Sequence, residues 1–153
     1  MPLVRVQAEP IDIGAAYAEL LAGRTDIGGL GAFVGTVRDS AKGRPITAMT
    51  LEHYPGMTER AMAAIGAEAE ARWNLMGSLL IHRVGPMRPG ETIVLVLAAS
   101  AHRQEALDAS AFLIDWLKTR APFWKKESFT DGSEAWVDAR ESDDAAAARW
   151  GAV

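Results

Sequence analysis

Apolar and polar positions alternate through Leu3-Val4-Arg5-Val6-Gln7, the period-two pattern of a short strand. A period near 3.6 follows. Ile13, Ala16, Tyr17, Leu20 and Leu21 share one face of a helix that Asp12 is placed to cap and that runs to about residue 22. Residues 28–38 are punctuated by glycine but contain the strand-like run Ala32-Phe33-Val34-Gly35-Thr36-Val37, and turn formers then fill residues 39–45. Residues 46–54 predict a second long strand, stopped by Pro55-Gly56. Thr58 is the expected N-cap of a helix to about residue 73, with Met62, Ile65, Ala69 and Trp73 at helical spacing. Residues 79–84 and 92–98 predict two strands around the turn-rich stretch 85–90. Ser100 is expected to cap a long helix to about residue 120, with Ala106, Ala109, Phe112, Leu113, Trp116 and Leu117 facing inward and Pro122 ending it. Residues 123–129, the Asp131-Gly132 turn and residues 134–137 form a hairpin pattern, and Ser142 opens a short alanine-rich helix.

Helices separated by strand pairs and hairpin-type turns predict an α+β fold rather than a doubly wound parallel sheet. The glycines of Gly29-Leu30-Gly31-Ala32-Phe33-Val34-Gly35 have the wrong spacing for a dinucleotide fingerprint, and a strand follows them where that motif needs a helix. With 153 residues, no internal repeat and no linker-like stretch, a single domain spanning residues 1–153 is expected. The apolar runs fall short of the ~20 residues of a membrane helix, and no basic, apolar leader opens the chain; a cytoplasmic location is the expectation. Sixteen Lys and Arg against twenty Asp and Glu leave a formal charge of −4, which argues against general nucleic-acid binding. The chain has no cysteine, so disulfides, thiolate catalysis, iron–sulfur clusters and cysteine zinc sites are excluded. His53, His82 and His102 lie on different elements without ligand spacing, so no metal is expected; His82, on an apolar strand, reads as a packed or edge histidine.

The chemical signal is in clustered cations beside turns and helix ends. Ser100-Ala101-His102-Arg103 puts an imidazole and a guanidinium at a helix start, where free backbone N–H groups and the dipole already favour an anion. Two readings are open there: a bound phosphate or carboxylate, or an internal pair between Arg103 and an acid such as Glu105. Lys118-Thr119-Arg120-Ala121-Pro122-Phe123-Trp124-Lys125-Lys126 ends a helix in cations and re-enters an aromatic pair flanked by lysines. It reads either as an ordinary helix end with Phe123 and Trp124 in the core, or as a rigid pocket wall whose lysines are tuned for proton transfer. Arg38 and the Lys42-Gly43-Arg44 loop suit either a phosphate-gripping loop or an exposed turn.

Several of these segments together resemble the large, catalytic subunit of molybdopterin synthase. They are Val37-Arg38-Asp39, Leu51-Glu52-His53-Tyr54-Pro55-Gly56-Met57-Thr58, Ile81-His82-Arg83-Val84-Gly85, Ser100-Ala101-His102-Arg103, Leu117-Lys118-Thr119-Arg120-Ala121-Pro122-Phe123-Trp124-Lys125 and Trp136-Val137-Asp138-Ala139-Arg140. The blocks fall in order over residues 28–150. The resemblance implies an α+β fold with a hammerhead-like α/β part and an additional antiparallel β subdomain. It implies a sulfurtransferase that converts cyclic pyranopterin monophosphate to molybdopterin in molybdenum cofactor biosynthesis, with no cofactor of its own. The sulfur comes from the C-terminal Gly-Gly thiocarboxylate of a small ubiquitin-like subunit, and two catalytic chains form a homodimer within a heterotetramer. By motif match Lys118 and Lys125 take the catalytic positions, and Arg38, His102, Arg103 and Arg140 line the substrate and phosphate pocket.

The missing cysteine fits this reading, because the nucleophilic sulfur would sit on the partner. His102 and Lys118 are separated by 16 residues, roughly 24 Å along one helix at ~1.5 Å per residue, which predicts a site shared between two chains. A docking platform that only holds the small subunit, or an unrelated enzyme acting on a phosphate ligand, are the competing readings; retention of both motif lysines favours the sulfurtransferase.

Overall fold

The computed structural model describes residues 1–137 and 141–151. The first sheet is built from β1 (Leu3–Gln7), β2 (Gly29–Thr36), β5 (Gly77–Arg83) and β7 (Thr92–Ser100), in the order β1-β5-β7-β2. β1 runs parallel to β5, and the other pairs are antiparallel. The second sheet takes β3 (Ser40–Ala41), β4 (Arg44–His53), β8 (Phe123–Phe129) and β9 (Glu134–Trp136) in that order, with β6 (Gly85–Met87) also pairing with β4. Among the described residues four helices complete the α+β fold: α1 (Ile13–Leu21), α2 (Met57–Trp73), α3 (Arg103–Arg120) and α4 (Glu141–Ala148).

The central strands β5 and β7 are apolar on both faces because helices cover both. Leu80, Val94, Val96 and Ala98 point towards α2 and α3 and meet Met62, Ile65, Phe112, Leu113 and Trp116. The alternate residues Leu79, Ile81, Leu95, Leu97 and Ala99 point the other way and meet Ala16 and Leu20 of α1. This is the period-two alternation of a strand applied to central strands with no wet face. Each large side chain buried in this way contributes about 1.5–3 kcal/mol from apolar surface removed from water. On β2, Gly31 permits close approach: a Cβ there would lie 2.0 Å from the carbonyl oxygen of Ala106 on α3.

The inward face expected for the long helix is the observed one, with Ala106, Ala109, Phe112, Leu113, Trp116 and Leu117 all buried. Several boundaries differ from expectation. Ser100 ends β7 and His102 occupies the N-cap of α3, with the Ser100 hydroxyl accepting from the His102 N–H at 3.3 Å. Gly56, at φ +85°, is the N-cap of α2, and the Gly56 N–H donates to Glu59 Oε1 at 3.0 Å. Thr58 lies one residue inside that helix, fully buried; its hydroxyl accepts from the Tyr54 N–H and donates to the Pro122 carbonyl at 2.9 Å. On α1, capped by Asp12 as expected, Ala16 and Leu20 are buried but Ile13 and Tyr17 are exposed, so the apolar face is narrower than the pattern implied.

Candidate active site

Lys118 stands in the last turn of α3, held by the buried Leu117 and Trp116 beside it. The helix stops at Ala121, whose extended backbone leads through Pro122 into β8. Pro122 has no N–H to continue the helical ladder, and the residue before it is pushed to extended geometry. Along β8 alternate side chains share a face, so Phe123, Lys125 and Glu127 point together into a cavity while Trp124 and Lys126 point away. Trp124 is exposed, and Lys126 pairs with Glu134 at 3.2 Å. Strand parity thus separates two adjacent lysines into different roles.

The cavity is about 470 Å³, the size of a small-molecule site. Arg38, on the segment leaving β2, reaches the same space as Lys118 and Lys125. Glu127 and Asp143 bring two carboxylates, so the polar lining holds three cations and two anions. Phe33, Met49, Val94 and Phe123 supply apolar wall. Asp143 is brought there by α4, which docks on α3: the Trp116 indole N–H donates to the Ala147 carbonyl, and Asp115 receives both Arg149 and the Trp150 indole at 3.1 and 2.8 Å. The sequence pattern singles out neither Glu127 nor Asp143. Glu127 has a signal in retrospect, as the i+2 partner of Lys125 on a strand, whereas Asp143 enters only through helix docking.

Beneath this space lies an inner cavity of about 80 Å³, where Lys118, Lys125 and Phe123 recur and His82 joins them. His82 is on the α3 face of β5, paired in register with Val94, and is 7% exposed. Its ring stacks on Phe123, with centroids 4.0 Å apart and planes at 26°. Nδ1 lies 2.9 Å from the Arg83 carbonyl oxygen; a carbonyl only accepts, so Nδ1 carries the proton and Nε2 the lone pair. Burial pushes this imidazole down from 6.5 to about 4, opposed by the Arg83 carbonyl and reinforced electrostatically by Lys125, Lys118 and His53. The packed histidine expected from sequence is therefore packed, and it lines one cavity with both candidate lysines.

His102 and Arg103 are not in this cavity. They lie at the opposite end of α3 from Lys118, and both are exposed. The alternative Arg103–Glu105 ion pair is not formed among the described residues, and Glu105 Oε2 is buried without a hydrogen-bond partner. Arg140 lies outside the described residues. The Lys42–Arg44 segment turns β3 into β4 with Lys42 and Gly43 both at positive φ. Arg44 binds Asp131 at 3.1 Å and lies over the Phe129 ring, away from the cavity lining. Among the sequence-selected residues, Arg38, Lys118 and Lys125 are thus gathered by one chain.

Comparison with known proteins gives a consistent picture. The MoaE protein family model matches residues 6–120, ending just before Lys125. A molybdopterin synthase catalytic subunit from Ralstonia nicotianae is 54% identical over 153 residues, covering all of this chain and 86% of its own length. Among solved structures, a molybdopterin biosynthesis MoaE protein from Burkholderia ambifaria superposes with a TM-score of 0.85 at 49% identity, covering 100% of both chains. A complex of subunits 1 and 2 of the molybdopterin-converting factor from Helicobacter pylori matches at a TM-score of 0.67 and 21% identity, over 92% of this chain and 90% of that one, and shares the fold. No helix among the described residues is long and apolar enough to cross a membrane.

Proposed function

Because the chain belongs to the family of molybdopterin synthase catalytic subunits, sulfur-transferring enzymes of molybdenum cofactor biosynthesis, we propose that the cavity of Arg38, Lys118 and Lys125 is where its sulfur transfer takes place. The observation that carries this is the convergence of three cations from three separate elements on one space of about 470 Å³. The substrate in this reading is cyclic pyranopterin monophosphate, and the sulfur donor is the C-terminal thiocarboxylate of a small ubiquitin-like subunit.

Each group has a distinct task. The Arg38 guanidinium offers two parallel donors to a phosphate, a geometry an ammonium cannot match. Phe33 and Phe123 give the flat pterin apolar surface, with Phe123 fixed by its stack on His82. The thiocarboxylate sulfur attacks a side-chain carbon of the pterin that bears the cyclic phosphate; the C–O bond to the phosphate breaks, the phosphate stays on its other carbon as a monoester, and a thioester joins tail and pterin. Water then adds to the carbonyl, the tetrahedral oxyanion collapses, and the C–S bond breaks to leave sulfur on the pterin and a carboxylate on the tail. A lysine ammonium beside the carbonyl stabilises that oxyanion in a partly desolvated cavity, and the second lysine moves a proton as the cyclic phosphate opens. Glu127 and Asp143 offset part of the positive charge of the lining.

His102 and Arg103 take part through a second copy of the chain. One helix holds them roughly 24 Å from its own Lys118, so the homodimer, itself the core of a heterotetramer with two small subunits, brings them to the other chain's lysines. The test is molybdopterin formation from cyclic pyranopterin monophosphate and verified thiocarboxylated small subunit. Lys118→Ala and Lys125→Ala are expected to lower the rate at least a hundredfold while complex formation persists. Full activity in either variant refutes that lysine's assignment, and no product from folded wild type favours a docking platform instead. Mixed dimers of Lys118→Ala and His102→Ala chains are expected to recover activity; no recovery from folded mixed dimers refutes the shared site.

A further inference from the structure

The inner cavity is lined by three nitrogen-bearing side chains, one of which the sulfur-transfer reading leaves without a role. His82 comes from β5, Lys118 from α3 and Lys125 from β8, and all three line the same space of about 80 Å³. The Arg83 carbonyl fixes the tautomer of His82 and leaves Nε2 as an acceptor. Val94, Ile114, Leu117 and Ala121 make up most of the remaining wall, so ammonium N–H groups and Nε2 are natural partners in apolar surroundings. The space also has room for a water, which needs two to four polar contacts of the kind these groups provide.

We propose that His82 is a positioning residue for the lysine pair, its Nε2 accepting from one water in the inner cavity that the Lys125 ammonium group also binds. Lys125 is the chosen donor because Phe123, two residues before it on the same face of β8, is stacked on the imidazole. The stack and the Arg83 bond fix the ring in two directions, so the acceptor is held rigid. His82 remains uncharged at neutral pH and so holds Lys125 through that water by a lone pair without adding a fourth positive charge to the site. Among the described residues the charged and titratable groups around it are Lys118 on α3, Lys125 on β8 and His53 on β4, while the Arg83 side chain turns away to Glu91 and the Ala8 carbonyl.

The proposal rests on the assignment of Lys125 to the reaction, and the experiment separates the two. Wild type, His82→Phe, His82→Gln, Lys125→Ala and the His82→Phe/Lys125→Ala double variant are assayed for molybdopterin formation with the thiocarboxylated small subunit. His82→Phe keeps an aromatic ring on Phe123 but removes the acceptor; it is expected to lower kcat at least tenfold with KM within twofold. His82→Gln, which keeps an acceptor, is expected to recover most of that loss. In the Lys125→Ala background, His82→Phe is expected to have no further effect. Unchanged kcat in His82→Phe, equal loss in Phe and Gln, or a full additional loss in the double variant overturns the proposal. Full activity in Lys125→Ala overturns the site assignment beneath it. Imidazole ¹⁵N spectra of folded wild type and Lys125→Ala give a readout independent of turnover and of any His82 substitution. A protonated Nδ1, with an Nε2 resonance that moves on Lys125→Ala, is expected; an Nε2–H tautomer or an unmoved Nε2 resonance overturns the proposal.

Discussion

Lowering the pH from 7 to 5 isolates the energetic cost of burying His82. In the unfolded chain this imidazole takes up a proton at about its ordinary value of 6.5, whereas in the folded protein burial holds it near 4. Between those values the unfolded state binds more protons, so stability rises with pH in this window and falls as the solution is acidified. The contribution is fully present above 6.5 and is lost as pH falls through 4. At pH 5 the linkage relation gives a loss of about 2 kcal/mol, and at pH 4 about 3 kcal/mol. The carboxylates held low by their partners, Glu19 by Arg5, Asp26 by Arg24, Glu91 by the Arg88 N–H and Arg83, and Asp131 by Ser133 and Arg44, work in the same direction. Their ordinary values are 4.5 or 3.8, so most of their effect falls below pH 5. Urea unfolding at pH 7, 6 and 5 should therefore show wild type losing about 2 kcal/mol more than His82→Phe, which has nothing to protonate there. Identical pH slopes in the two proteins would refute a buried, uncharged His82.

Three further outcomes follow from the same geometry. Thr58→Val removes the hydroxyl that ties the start of α2 to the Pro122 carbonyl and leaves two backbone groups without that partner; a loss of about 1–3 kcal/mol in urea unfolding is expected, together with reduced turnover because Pro122 lies between the two lysines. Gly31→Ala forces β2 and α3 apart where a Cβ has no room, costing about 1–3 kcal/mol, read as a lower midpoint at unchanged m. Arg38→Lys keeps the charge but loses the paired donors, so KM for the phosphorylated pterin should rise at least tenfold while thermal stability stays within about 0.5 kcal/mol, as expected for an exposed side chain. An unchanged KM would remove Arg38 from phosphate recognition.

Regular periodicity makes most of the fold legible in the amino-acid sequence. The inward face of α3 is readable because six apolar residues recur at helical spacing, and the β8–β9 hairpin because Asp131-Gly132 separates two strand-like runs. The failures have local causes. β3 and β6 have two and three residues, too few to establish a period. Thr58 has the chemistry of a cap, but its hydroxyl is drawn to Pro122 on a distant segment, and Gly56 occupies the cap because it tolerates positive φ. Arg38, Lys118 and Lys125 stand out in the sequence, the two lysines as part of a wider cationic cluster, but their assembly into one cavity depends on how β2, α3 and β8 pack. The sequence marks His82 only as a packed histidine, since what it packs against is a tertiary fact. The separation of His102 and Arg103 from the lysines is readable from helix length alone.

The turn at Ala121-Pro122 joins an element that counts in steps of 100° to one that counts in steps of 180°. Which lysine faces the reaction is therefore a matter of odd and even. One residue added or removed after Pro122, with the β4–β8 pairing retained, would exchange the two faces of β8 and present Trp124 and Lys126, or their neighbours, where Phe123 and Lys125 stood. At this corner a change of length disturbs the site more than a change of side chain does. A substitution can be absorbed by degrees, but a change in residue count has no intermediate setting.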